Sequence, residues 1–420
     1  MENNSVGPRV SWFRRLGPGL ITGAADDDPS GIATYSQAGA QFGVNMLWTV
    51  VLTYPLMVAI QGICARIGRV TGEGLAATMA HVLPRSVVHL IVGLLFFANT
   101  VNIGADIAAM GAAAHLVIGG WPVLYAATFA TVSLLLQVFV PYHRYVHVLK
   151  WLTLALFAYV GVLFAVEIDW RAVALATVWP HFVPSQNAFT IVVAIFGTTI
   201  SPYLFFWQSA EEVEDEKLAG SGSLLDHPAD APRELSRIRI DTYVGMAFSN
   251  LIAFFIILTT AVTLNKSGVT DISTSAQAAE ALRPIAGEFA FLLFSLGIIG
   301  TGLLALPVLA GSAAYAIGEL RGWRIGLEQK PTNAKAFYGT ISLAMALGLL
   351  MLFLPVDPIK ALFWSAVLNG LIAVPLMVAT MLVVSSRTLL GSFVAPLGLK
   401  IMGWVATTVM VLAALAMVVL

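Results

Sequence analysis

The stretch Asp26-Asp27-Asp28-Pro29-Ser30-Gly31 places three carboxylates and two helix breakers inside an apolar run, 16–41, that otherwise reads as a membrane span. An ionisable residue in a spanning segment has to face a cavity, a partner or an ion, so it marks a functional site. Proline and glycine beside it signal an interrupted helix, whose freed carbonyls can line a cavity but not face lipid.

The rest of the composition agrees with a chain that lives in a bilayer. Of 420 residues, 58% are apolar and only 11% charged, with a mean hydropathy of +0.86, which excludes an ordinary soluble domain. A formal net charge of -1 supplies no basic surplus to neutralise phosphates, so nucleic acid is excluded as a partner. The single cysteine, Cys64, allows neither an internal disulfide nor a thiolate cluster and reads as a small buried residue. Met1 to Arg15 is polar and ends in Arg14-Arg15; the apolar stretch after it has no cleavage-site pattern and does not read as a signal peptide.

Apolar segments of about 20 residues, the length needed to cross a bilayer, fall at 16–41, 46–66, 87–114, 120–140, 147–167, 188–212, 240–264, 286–318, 336–354, 358–384 and 400–420. These predict eleven helices. With the N-terminus cytoplasmic, 18 of the 22 Lys and Arg fall on the inner side. Only Arg171, Lys266, Arg283 and Lys360 remain outside, so the charge bias predicts N-terminus in and C-terminus out.

A second break, Thr198-Thr199-Ile200-Ser201-Pro202-Tyr203, lies in the sixth span. Helices 1 and 6 interrupted alike, five helices apart, predict an inverted repeat of helices 1–5 and 6–10, with the substrate site where the breaks meet. Repeat one covers about 16–168 and repeat two about 188–384. The helix at about 400–420 is additional, and the whole chain forms a single transporter domain.

Gly17-Pro18-Gly19-Leu20 followed by Asp28-Pro29-Ser30-Gly31 resembles the first span of the Nramp family of divalent-metal transporters, where the run is Asp-Pro-Gly-Asn. The sixth-span break is similar to the family's Ala-x-x-Met-Pro-His, and Asn102-Ile103-Gly104-Ala105-Asp106 resembles its third span. The resemblance implies an all-α polytopic fold with the LeuT-like inverted repeat and a metal site at Asp28, Gly31, the Thr198 carbonyl and Ser201. It also implies an integral protein of the bacterial inner (plasma) membrane.

Three positions depart from the family together. Gly31 stands where the family has its metal-binding asparagine, Ser201 where it has the ligating methionine, and Tyr203 and Gln208 where it has histidines. This pattern resembles the Nramp-related magnesium transporters. Every remaining donor is an oxygen, and loss of the soft thioether removes the preference for transition metals. Glycine and serine also suggest a wider cavity, which suits Mg²⁺, an ion that keeps several waters and binds through one or two carboxylates.

Successive helical residues point about 100° apart, so Asp26, Asp27 and Asp28 cannot all converge on one ion. Asp27 is expected near a bound water or the vestibule and Asp26 against another helix, with packing carboxylates as the alternative. Asn369, one turn after Ser365 in the tenth span, is a candidate oxygen donor or a packing amide. The family's proton route runs through the sixth-span histidines and a third-span acid near Asp106. Here no histidine lies in the first or sixth span and position 109 is alanine, so the relay lacks its usual switch. Asp106 remains either a relay remnant or a polar contact.

Glu211, Glu212, Glu214, Asp215 and Glu216 close the sixth span on the inside and read as a solvated end, with a cation-attracting vestibule as the alternative. Gly220 to Pro232 reads as a flexible loop, and Glu73, with Thr71 and Thr78, as a pin for the second inner loop. No P-loop, zinc-type histidine spacing or nucleophile motif is present, so the chain reads as no enzyme and calls for no cofactor. The expected function is alternating-access transport of Mg²⁺, and of Mn²⁺ less favourably, across the lipid bilayer without proton coupling. The alternatives are a proton-coupled Mn²⁺/Fe²⁺ importer and, from another substrate class, a sodium-coupled organic solute carrier.

Overall fold

Proline and glycine punctuate the apolar helices of this chain, and their positions set the architecture in the computed structural model, which describes residues 18–141, 144, 149 and 151–420. Met1 to Arg15, Gly17 and Lys150 lie outside the described residues. Helix α1 (Pro18–Asp26) stops at the aspartate run and α2 (Pro29–Phe42) restarts at once, with Asp28 as N-cap and Pro29 in the first turn. Proline there loses no hydrogen bond, because the first N–H groups of a helix have no internal partner.

The helices that follow are α3 (Leu47–Thr71), α4 (Leu75–Val82), α5 (Arg85–Ile118) and α6 (Pro122–Phe139). Next come α7 (Leu152–Val162) and the short α8 (Trp170–Val178). The sixth expected span is again split, into α9 (Gln186–Thr199) and α10 (Pro202–Leu218), with Pro202 opening the second half. The chain continues through α11 (Ala231–Thr260), which ends in a π-turn at Ala261–Asn265, and the short α12 (Ser275–Glu280). It ends with α13 (Ala290–Arg321), α14 (Lys335–Leu350), α15 (Pro358–Ser385) and α16 (Leu397–Val419).

Among the described residues, nine runs are long and apolar enough to cross a membrane, against the eleven expected. One of them, Pro29–Thr71, joins the second half of the first expected span to the whole of the second. The fifth expected span falls partly outside the described residues, and its described part is the shorter apolar helix Leu152–Val162.

With little hydrophobic drive between helices in lipid, close backbone approach supplies the packing, and small residues allow it. Gly19 and Gly23 set α1 against Asp241 and Gly245 of α11: a methyl group on Gly23 would sit 2.3 Å from the Gly245 carbonyl oxygen. Gly39 does the same for α2 against Ile257 of α11, at 2.2 Å. Gly197 seats α9 against Ala366 of α15, at 2.1 Å. Both halves of the first broken helix, and the first half of the second, are thus pressed onto continuous helices.

Candidate functional site

Asp28 sits where the two breaks meet. As N-cap its Oδ1 accepts from the Gly31 N–H (2.8 Å) and the Ser30 hydroxyl (2.6 Å), satisfying donors that α2 cannot satisfy itself. Its Oδ2 accepts from Asn102 Nδ2 of α5 (3.1 Å) and lies 3.3 Å from the Tyr203 hydroxyl of α10. Asn102 is in turn fixed by Ser365 of α15, whose hydroxyl donates to its Oδ1 at 2.7 Å. Four donors from three parts of the chain therefore converge on one carboxylate. A cation approaching Asp28 has to replace at least one of them.

The second break supplies the opposite wall. Ser201 precedes α10 but does not cap it; its hydroxyl turns back to the Gly197 (2.9 Å) and Thr198 (2.7 Å) carbonyls at the end of α9. Those carbonyls have lost their helical partners because the helix stops there. Gly31 adjoins this wall: a Cβ on it would lie 3.1 Å from Thr198 Oγ1 and 3.3 Å from the Tyr35 ring. Asp28, Gly31, Thr198 and Ser201 are thus brought together. The expected widening does not follow at position 31, because Thr198 and Tyr35 occupy the space an asparagine would take. The positive ends of α2 and α10 and the carbonyl ends of α1 and α9 all meet here, an arrangement that suits an ion bound through oxygens.

Asp26 and Asp27 turn away from Asp28 toward α11, where both carboxylates meet one hydroxyl: Ser249 Oγ lies 2.5 Å from Asp26 Oδ2 and 3.1 Å from Asp27 Oδ1. A hydroxyl has one proton and serves one of them at a time. Asp26 faces another helix, as expected, and Asp27 shares its partner. Asp106 lies one turn beyond Asn102 on α5, fully buried, with neither carboxylate oxygen hydrogen-bonded among the described residues. None of these four aspartates is paired with Lys, Arg or His among the described residues.

Tyr203 also lies 3.1 Å from the Ala25 carbonyl, tying α10 to the end of α1. Gln208 accepts from the Thr22 hydroxyl of α1 at 2.6 Å and so joins α10 to α1 rather than touching Asp28. Asn369 is buried, but its Nδ2 has no partner and it is not bonded to the site; its neighbour Ser365 makes the link, through Asn102.

Below the site the acidic run is a lock, not a solvated end. Glu212 is fully buried and pairs with Arg237 of α11; Arg237 pairs with Glu234 at 3.0 Å. Glu234 lies 3.6 Å from buried Arg69 of α3, which closes onto Glu216 at 3.1 Å and the Gly222 carbonyl at 2.9 Å. The acids were legible, but their partners lie on helices distant in sequence. The loop after α3 is held differently from the expectation too: Glu73 meets His81 at 3.0 Å, Thr78 bonds within α4, and Glu319 of α13 accepts from the Ala76 (2.9 Å) and Ala77 (3.2 Å) N–H groups. Asn102, Ser249 and Glu319 were not read as site or anchor residues. Only Asn102 carried a signal, its place on the Asp106 face four residues earlier.

Comparison with known proteins follows the same outline. A family model described as natural resistance-associated macrophage protein-like matches residues 19–420. The divalent metal cation transporter MntH of Acidiphilium cryptum is 25% identical over 417 residues, covering 96% of this chain and 90% of the relative. Its namesake in Deinococcus radiodurans is 24% identical over 406 residues, covering 94% and 87%. Among solved structures, the Eremococcus coleocola manganese transporter superposes with a TM-score of 0.73 at 16% identity, covering 97% of this chain and 88% of that one. Mhp1, a nucleobase-cation-symport-1 family transporter in a closed conformation, gives 0.55 at 14% identity, covering 96% and 91%. Both structural likenesses concern the fold alone, a LeuT-like arrangement.

Proposed function

Because the chain belongs to the natural resistance-associated macrophage protein-like family over nearly its whole length, we propose that its cargo is Mg²⁺, carried partly hydrated by alternating access and without a stoichiometric proton. It is an integral, multi-pass divalent metal cation transporter, not an enzyme. The observation that carries the reading is the set of four buried aspartates, three at the first break and Asp106 on α5, with no basic side chain paired to them among the described residues. Buried carboxylates call for a cation, and here the cargo supplies it.

Asp28 is the charged ligand, with the Thr198 carbonyl and Ser201 as oxygen donors and Gly31 leaving the wall free of a side-chain amide. Asp26, Asp27, Tyr203, Gln208, Asn369 and Asp106 lie along the pathway. An all-oxygen set favours a hard ion. The matching breaks support a division into two inverted repeats, about 16–168 and 188–384, with α16 outside them. The 18-to-4 division of Lys and Arg supports a cytoplasmic N-terminus in a bacterial inner membrane. Contacts among loops expected on that side support it too: Arg66 binds the Phe393 carbonyl, and Leu224 N–H binds the Arg69 carbonyl.

A proton-coupled Mn²⁺ importer is the second reading. Asp106, buried and unbonded on the helix that holds Asp28 through Asn102, favours it, as do the names of the relatives. Flux into proteoliposomes with internal pH recorded separates the two. The expected result is Mg²⁺ uptake that follows an imposed voltage, about 4.6 kcal/mol per 100 mV for a divalent ion, without acidification of the lumen. Acidification that tracks metal uptake after correction for leak overturns the uncoupled reading in favour of the importer.

Selectivity gives a second check. Ser201→Met should raise Mn²⁺ and Cd²⁺ affinity relative to Mg²⁺ by at least about tenfold, the low end of changes around a metal's ligands. This single variant is cleaner than one that adds Gly31→Asn, whose Cβ would press on Thr198 and Tyr35. Calorimetry that finds unchanged relative affinities removes the all-oxygen argument.

A further inference from the structure

Arg69 and Arg237 face inward and are fully matched by glutamates. Three residues before Arg69 and two after Arg237 on the same helices, Arg66 and Arg239 are not. They line a groove of about 540 Å³ between α3, α11 and the start of α16, and among the described residues no carboxylate lines it. Among the described residues Arg66 is held by neutral carbonyls alone, Phe393 at 2.8 Å and Val394 at 3.5 Å, with no carboxylate paired to it. Arg239 is exposed and has no ion-pair or hydrogen-bond partner among the described residues. Thr242 also lines the groove, with its hydroxyl buried and without a hydrogen-bond partner among the described residues.

Away from the arginines the walls turn apolar. Val58, Ala59, Leu399 and Met402 line the slot, and Gly62 leaves it open: nothing lies within 4 Å of where its Cβ would be. From Arg66 to Tyr54 at the far end, α3 rises about 18 Å, close to the roughly 15 Å depth of one leaflet of hydrocarbon. Two unmatched cations above an apolar slot of that depth fit a phosphate with a chain attached. Basic pockets between spanning helices on the cytoplasmic side suit acidic headgroups. A zwitterionic headgroup would find no acid here for its amine.

The geometry points to an anionic phospholipid seated in this groove, its phosphate on Arg66 and Arg239 and an acyl chain along Gly62. The site is separate from the cation pathway and lies on the lipid-facing side of α11, the helix that carries Ser249 and Arg237.

The test is native mass spectrometry of the delipidated full-length protein after add-back of phosphatidylglycerol or phosphatidylcholine. Wild type should retain phosphatidylglycerol in preference to phosphatidylcholine. Arg239→Gln should lower that retention about fivefold, the contribution of one basic residue at a membrane surface. Gly62→Leu, which fills the slot without touching charge, should abolish retention of both lipids. Lys335→Gln, an exposed basic residue on α14 outside the groove, should leave retention unchanged. Equal retention of the two lipids by wild type overturns the proposal, as does unchanged retention in Arg239→Gln. Displacement of phosphatidylglycerol by soluble glycerol 3-phosphate also overturns it, by reducing the groove to a phosphate site. Arg239 is exposed, so its variant gives a reading whether or not Gly62→Leu folds.

Discussion

Asp28→Ala should stop metal transport outright, by more than about 100-fold, because loss of a ligand exceeds the 10- to 100-fold effects of its outer partners. The same change leaves four donors, on Ser30, Gly31, Asn102 and Tyr203, aimed at a methyl group. Two of them come from helices that the carboxylate joins, so the alanine variant should also lose some thermal stability. Asp28→Asn separates the effects. Its carbonyl keeps the bonds from Ser30 and Gly31, so the cap of α2 survives, while the charge that holds the ion is gone. The expected outcome is an unfolding midpoint above that of the alanine variant, below wild type by the cost of an amide that now faces Asn102 Nδ2, with transport still abolished. Measurable Mg²⁺ uptake by Asp28→Asn in proteoliposomes would remove Asp28 as the charged ligand.

Glu212→Gln is expected to open the far side of the pathway. Removing one partner of a buried ion pair costs about 3–5 kcal/mol, and Arg237 keeps Glu234, so the low end applies. About 3 kcal/mol moves a closed-to-open equilibrium roughly 150-fold. Cys64, the single cysteine, is buried, so an introduced thiol reports almost alone. Thr22→Cys places a probe of similar size at the fully buried contact with Gln208. Its labelling by a membrane-impermeant thiol reagent should rise by about two orders of magnitude in the Glu212→Gln background. An unchanged rate would mean that the chain from Glu212 to Glu216 does not control access.

The breaks at Pro29 and Pro202 and the alternation of charged loops made the fold legible from sequence, since proline, glycine and carboxylates in lipid have few uses. Asp28, Gly31, Thr198 and Ser201 were legible through motif positions, and the structure gathers them at one junction. Their partners were not. Ser249 is one of several hydroxyls on α11, more than 200 residues from the aspartates it serves, and no local pattern marks it out from the others. The glutamate run misled for the same reason: burial of Glu212 depends on Arg237, and local sequence does not tell a paired acid from a solvated one. Room at Gly31 was misjudged because Thr198 approaches from the other broken helix and Tyr35 packs against the same spot from one turn further along α2.

The contact of Gly19 and Gly23 with Asp241 and Gly245 bears on how the carrier moves. Where helices mesh through large side chains, sliding one past the other means rearranging rotamers and losing dispersion contacts at each step. Here two bare backbones touch, with few rotamers to rearrange. The surface works as a plain bearing: α1 can roll on α11 with little internal friction, restrained by the Gly19 N–H bond to Asp241 at 2.7 Å and by the hydroxyl of Ser249. A methyl group at position 23 would therefore act less as a packing defect than as grit, seizing the stroke in a protein that still folds.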